Sequence, residues 1–150
     1  MAIALPDKEA DVGSVHTTLT VINTIDQARA EAGEIDADAV RSVTLTDVLV
    51  DTGATYLSLP PDVVARLGLR ARGARPIRTA NGVIQTRLFQ DAELTVLGRS
   101  TTLDVRELPA GTPALLGVIP MEALGIEADL RNRRLRLLPM ESDDTFITVL

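Results

Sequence analysis

About a third of the way along the chain the apolar run Val48-Leu49-Val50 ends abruptly in Asp51, and this junction constrains the fold more than any other stretch. A strand with three successive apolar residues is heading into a core. A carboxylate at its end is costly unless it is paired or hydrogen-bonded, so the loop that follows needs a defined structure. That loop reads Asp51-Thr52-Gly53-Ala54, in which Gly53 permits close approach of another backbone and Thr52 offers a hydroxyl to hold the turn.

The surrounding sequence is rich in short β-branched segments. Val15 to Ile25 and Val40 to Val50 are expected as strands, with Asp26 to Asp38 connecting them through a short helix or a wide hairpin. Pro60-Pro61 opens a helix expected from about Asp62 to Leu67, and Gly68 stops it. The segment PIRTANGVIQTRLF predicts a hairpin whose type I′ turn is centred on Asn81-Gly82, since both central positions then need positive φ. Strands are expected near Asp91 to Leu97, Thr101 to Leu108 and Ala114 to Val118, then a short helix from Pro120 to Leu124. The last hairpin, Ile126 to Leu138, turns at Arg131-Asn132. The two strand-then-helix units, VLVDTGAT through ARLGL and ALLGVIP through LGI, look like a loose duplication.

Composition narrows the chemistry. With 150 residues and 45% hydrophobic content the default is one domain, and with no Trp, one Tyr and two Phe its core has to be aliphatic. There is no cysteine, which removes disulfides, thiolate zinc and a cysteine nucleophile, and the sole histidine, His16, leaves a Ser-His-Asp triad or a metal site poorly supplied. His16 reads as a half-exposed strand residue. A net charge of −6, from 15 basic and 21 acidic residues, argues against nucleic acid and anionic membranes as partners. No basic, apolar leader and no run of about 18 apolar residues is present, so a cytoplasmic setting is expected.

LVDTGAT, the later ALLG followed by a short helix, and the ANG hairpin between them occur in the order found in retropepsin-like aspartic proteases, and the chain resembles the single-domain cellular and bacterial branch of that family from about Thr18 to Leu138. The resemblance implies a mainly β, single-domain closed sheet of the acid-protease type with two short helices and an active site at a homodimer interface. Residues 1–14 would be a flexible arm, 15–140 the protease domain and 141–150 a polar tail. With one Asp-Thr-Gly and no Asp-Ser-Gly, a two-lobed monomer is excluded. The resemblance therefore implies that Asp51 from each subunit meets its copy at a two-fold axis, the pair sharing one proton and activating a water.

By the same resemblance Asp51, Thr52 and Gly53 form the catalytic loop, with Thr52 hydrogen-bonding across the dimer. Ala54 and the hairpin tip Ala80, Asn81 and Gly82 would bind substrate, the tip acting as a flap over an extended peptide, while Leu115, Leu116 and Gly117 pack behind the loop. No metal or organic cofactor is implied. The viral pattern places Asp and Arg where this chain has Thr55 and Val118, so both members of a charge pair are replaced together. A binding or dimerisation module that keeps the fold without turnover is the alternative. Asp129, Arg131, Arg133, Arg134 and Arg136 read as the solvated face of a hairpin, and Glu31, Glu34, Asp36 and Asp38 as a solvated connection rather than a calcium loop.

Overall fold

The computed structural model describes residues 14–139, so the tail and all of the N-terminal arm except Ser14 lie outside the described residues. Strands β1 (Val15–Asn23), β2 (Ser42–Val50), β3 (Leu57–Leu59), β4 (Arg70–Thr79), β5 (Gly82–Val96), β6 (Arg99–Glu107) and β7 (Leu115–Leu116) form one mixed sheet in the order β1-β2-β7-β3-β6-β5-β4. Because β1 also pairs with β5, the pairings close on themselves and leave β4 hanging from the ring. Strands β8 (Ile126–Asp129) and β9 (Arg134–Leu137) make a separate hairpin. The expected mainly β, closed-sheet architecture is found.

The enclosed core is aliphatic, as the composition demands. Leu19, Val21, Leu57, Leu59, Leu67, Leu94, Val105 and Leu116 are all almost wholly buried, each contributing about 1.5–3 kcal/mol of apolar transfer energy. Strand β3 is buried along its whole length because it lies inside the sheet, between β7 and β6. Among the described residues no helix is long and apolar enough to cross a membrane.

Among the described residues there are three α-helices rather than two: α1 (Thr24–Glu31), α2 (Pro61–Leu67) and α3 (Val118–Leu124). Helix α1 begins inside the segment expected to continue as strand. Asn23 ends β1 and caps the helix, its side-chain oxygen accepting from Asp26 N–H at 3.0 Å, so a cap outcompetes the β propensity of Thr24 and Ile25. Helix α3 begins two residues earlier than expected, at Val118, and shortens the preceding strand to Leu115–Leu116. The second arm of the hairpin and the strand expected after it are one long strand, β5, whose first half pairs with β4 and second half with β1 and β6.

Asp26, the first residue of the segment expected to connect the two strands, is buried, 3% exposed. Its two oxygens accept from Arg41 Nε at 2.7 Å and Nη2 at 3.0 Å, and one of them also accepts from the Arg41 backbone N–H at 3.0 Å. Asn23 Nδ2 adds a bond to the Leu67 carbonyl at 2.9 Å, tying the start of α1 to the end of α2. The Arg41 hydrogen bonds hold the Asp26 carboxyl at about 2, below its ordinary 3.8. The folded state therefore favours the ionised form, and this stabilisation is complete above about pH 4 and drains away as pH falls towards about 2. Asp26→Asn is expected to cost about 2 kcal/mol at neutral pH and much less near pH 2. Urea unfolding of both proteins at several pH values measures this, and a gap that stays constant down to about pH 2 would assign the cost to something other than the ion pair.

The remaining hairpin is clamped to the main sheet by Arg99, which donates to the carbonyls of Leu124 and Gly125 at the end of α3 and of Leu138 after β9. Arg131, Arg133, Arg134 and Arg136 are exposed there, Arg136 pairs with Glu127, and Asp129 holds the turn through both the backbone and side-chain nitrogens of Asn132. Glu31, Glu34, Asp36 and Asp38 are exposed, with Glu34 paired to Arg29. His16 is more exposed than expected, because it points away from the core on a strand whose neighbour Val15 points in.

Candidate active site

Strand β2 delivers the chain to Asp51, and after a loop through Tyr56 the chain leaves on β3. Between these two arms lies β7. Leu49 and Val50 pair in parallel with Leu115 and Leu116, and the other edge of β7 pairs antiparallel with Leu57 and Ser58. A two-residue strand wedged between the arms of a loop holds both ends of that loop at a set separation.

Backbone hydrogen bonds complete the clamp. Asp51 N–H donates to the Leu116 carbonyl at 2.9 Å, Gly117 N–H to Tyr56 at 3.0 Å, Val118 N–H to Ala54 at 2.9 Å and Ile119 N–H to Thr55 at 3.0 Å. Where the viral pattern would have a charge pair, this chain thus joins Ala54 and Thr55 to Val118 and Ile119 through peptide groups. Gly117 lies so close to the loop that a Cβ there would stand 2.6 Å from the Thr55 carbonyl carbon and from Tyr56 N and O. Only the absence of a side chain permits that approach.

Within the loop, Gly53 N–H donates to Asp51 Oδ1 at 2.9 Å and Ala54 N–H to the Asp51 carbonyl at 3.0 Å. The carboxylate is therefore oriented by its own loop. Asp51 and Ala54 are half-buried, whereas Thr52, Gly53 and Thr55 are exposed. Tyr56, 40% exposed, and Ile119, 48% exposed, add apolar surface at the rim.

Ala80, Asn81 and Gly82 form the exposed tip of the β4–β5 hairpin, but the turn differs from the expected one. Its central residues are Ala80 and Asn81, Thr79 pairs with Gly82, and the positive φ falls on Gly82 at 118°. The reason is local: Thr79 Oγ1 accepts from Asn81 N–H at 3.2 Å and donates to the Gly82 carbonyl at 2.9 Å, placing the turn one residue earlier.

Sequence reasoning overlooked two residues beside the loop. Arg106 of β6 lies over the Tyr56 ring, 4.2 Å from its centroid, and is opposite Ser58 of β3. That Tyr56 is the chain's one tyrosine, five residues after Asp51, was a usable signal. Nothing in the alternation of β6 marked Arg106. A groove along β1, lined by His16, Thr18, Thr46 and Arg134, contains none of the motif residues.

A single Asp-Thr-Gly loop, locked by a short strand inserted between its arms within a closed mixed sheet, is the one-aspartate loop of an acid-protease fold. The aspartyl protease family model matches residues 40–118, more than half of the chain, and the chain belongs to that family, which is part of the retropepsin-like clan. No curated protein matches the chain closely enough to count as a relative.

Proposed function

We propose that the chain is a homodimeric aspartic endopeptidase that cuts extended peptide segments with a water activated between two Asp51 carboxylates, one from each subunit. The observation that carries this reading is the placement of Asp51: half-exposed on an open loop, oriented by Gly53 N–H, with its backbone locked to β7. One chain brings one such carboxylate, and a second copy related by a two-fold axis supplies the other.

In the assembled site the two carboxyls share a proton, because like charges a few ångströms apart resist ionising together. The ionised Asp51 takes a proton from the water as its oxygen bonds to the peptide carbonyl carbon, and the protonated one hydrogen-bonds the developing oxyanion. Collapse of the tetrahedral adduct breaks the C–N bond, and the departing nitrogen receives a proton from a carboxyl. Thr52 bridges the two loops, and the tips at Ala80, Asn81 and Gly82 close over the peptide and pair with its backbone. This chemistry calls on no metal or organic cofactor.

Mixing subunits tests the shared site. With wild type and Asp51→Asn chains mixed in equal amounts and allowed to exchange, activity per wild-type chain is expected to fall to about half, because half of the wild-type chains then sit in mixed pairs. Activity per wild-type chain that stays constant at every mixing ratio would mean that each chain works alone, and the dimeric reading would fail.

A further inference from the structure

Arg106 is the one described residue with buried side-chain nitrogens that lack any partner: neither Nε nor Nη1 has a hydrogen bond among the described residues. A guanidinium keeps its charge at every accessible pH, so such donors impose a desolvation cost that a purely structural role does not repay. The Tyr56 ring covers one face of the guanidinium plane, which holds the group still yet consumes none of its in-plane N–H donors. The two carboxylates that flank it on β6 are already engaged. Glu107 takes a bidentate bond from Arg87 at 2.8 Å, and Asp104 pairs with Arg72.

Position gives this spare cation a purpose. Arg106 is paired across the sheet with Ser58, which follows the catalytic loop on β3, and with Leu88 on β5. Its neighbour Val105 faces the core, so Arg106 faces the other side of the sheet. Leu88 is buried yet stands outside the main core cluster, and Thr86 and Ile84 follow at alternate positions of β5 towards the hairpin tip. One face thus runs from the tip of the hairpin to Arg106 and Tyr56 at the end of the Asp51 loop.

We propose that Arg106, held by Tyr56 beside the catalytic loop, determines specificity by binding an acidic side chain of the peptide, Asp or Glu, close to the bond that is cut. An incoming carboxylate taken by the two Nη groups supplies Nη1 with its missing acceptor in a desolvated, charge-assisted contact. The proposal rests on the reading of the site as a peptide-cutting groove.

The experiment is cleavage of a fully mixed peptide library by wild type, Arg106→Lys and Arg106→Gln, with cut sites read by mass spectrometry and folding checked by thermal melting. Wild type is expected to favour Asp or Glu over Asn or Gln at one position near the cut by about tenfold or more, the ratio falling to about one in Arg106→Gln and lying between in Arg106→Lys. No acidic preference in wild type, or an undiminished one in folded Arg106→Gln, overturns the proposal and leaves proteolysis standing. Should wild type cut nothing, the library is selected for binding to Asp51→Asn and to Asp51→Asn with Arg106→Gln. Acidic enrichment that vanishes in the double variant then upholds Arg106 while proteolysis falls, and its absence from the single variant overturns both.

Discussion

Asp51→Asn is expected to lower peptide cleavage by on the order of a thousandfold or more, with little change in stability. The substitution is nearly isosteric, and the amide oxygen of Asn can still accept from Gly53 N–H, the 2.9 Å contact that orients the carboxylate. The backbone bonds of residue 51 to Leu116 and Ala54 do not involve its side chain. What disappears is the capacity to hold and release a proton, and in a symmetric dimer it disappears from both subunits at once. General acid–base assistance alone is worth roughly 10²–10⁴ in rate, and in the proposed dimer one residue type supplies both the acid and the base. Cleavage of a mixed library between about pH 4 and 7, the range in which a carboxylate pair can hold one proton, measures the loss, and thermal melting checks the fold. Cleavage that survives in the variant would place the chemistry elsewhere. A proven dimer in which neither protein cuts would point to a module that grips peptides without turnover.

Gly117→Ala is expected to destabilise the protein by about 3 kcal/mol and to abolish cleavage with it. The added methyl would meet three backbone atoms of Thr55 and Tyr56 at 2.6 Å, and backbone cannot move aside as the end of a long side chain can. Relief requires the loop and β7 to part, which strains the adjoining bonds from Gly117 to Tyr56, Val118 to Ala54 and Ile119 to Thr55. For a domain of this size the cost corresponds to a fall of roughly 10 °C in melting temperature. Gly53→Ala is the informative contrast. Its Cβ would lie 3.2 Å from Asp51 Oδ1, so it presses on the carboxylate rather than on packed backbone and is expected to cost about 1 kcal/mol or less while still impairing cleavage. A Gly117→Ala protein that melts like wild type would show that the loop does not need this close contact.

The parts legible in the sequence were those written locally. The VLV run into Asp51 marked a buried strand meeting a polar loop, the β-branched segments marked strands, and Pro60-Pro61 with Gly68 bracketed α2. The hairpin at residues 79–82 was legible too, but not its turn, because the Thr79 hydroxyl decides between adjacent registers and Asn-Gly alone does not. The helix at Thr24 was hidden because the short-range preference of Thr and Ile for strands points the other way from the Asn23 cap.

The sequence by itself determined the class of fold, an aliphatic all-in-one core of short strands, and the junction that sets Asp51 at the end of a buried strand, because strand periodicity and a strand-to-loop junction are properties of neighbouring residues. Only the tertiary structure decided which distant residues meet: Asp26 with Arg41, Gly117 with Thr55 and Tyr56, Tyr56 with Arg106. Those meetings depend on how β7 is inserted between β2 and β3 and on which strand lies beside which, and the free energy that selects that arrangement is the summed burial of the whole core rather than any preference of the residues that touch.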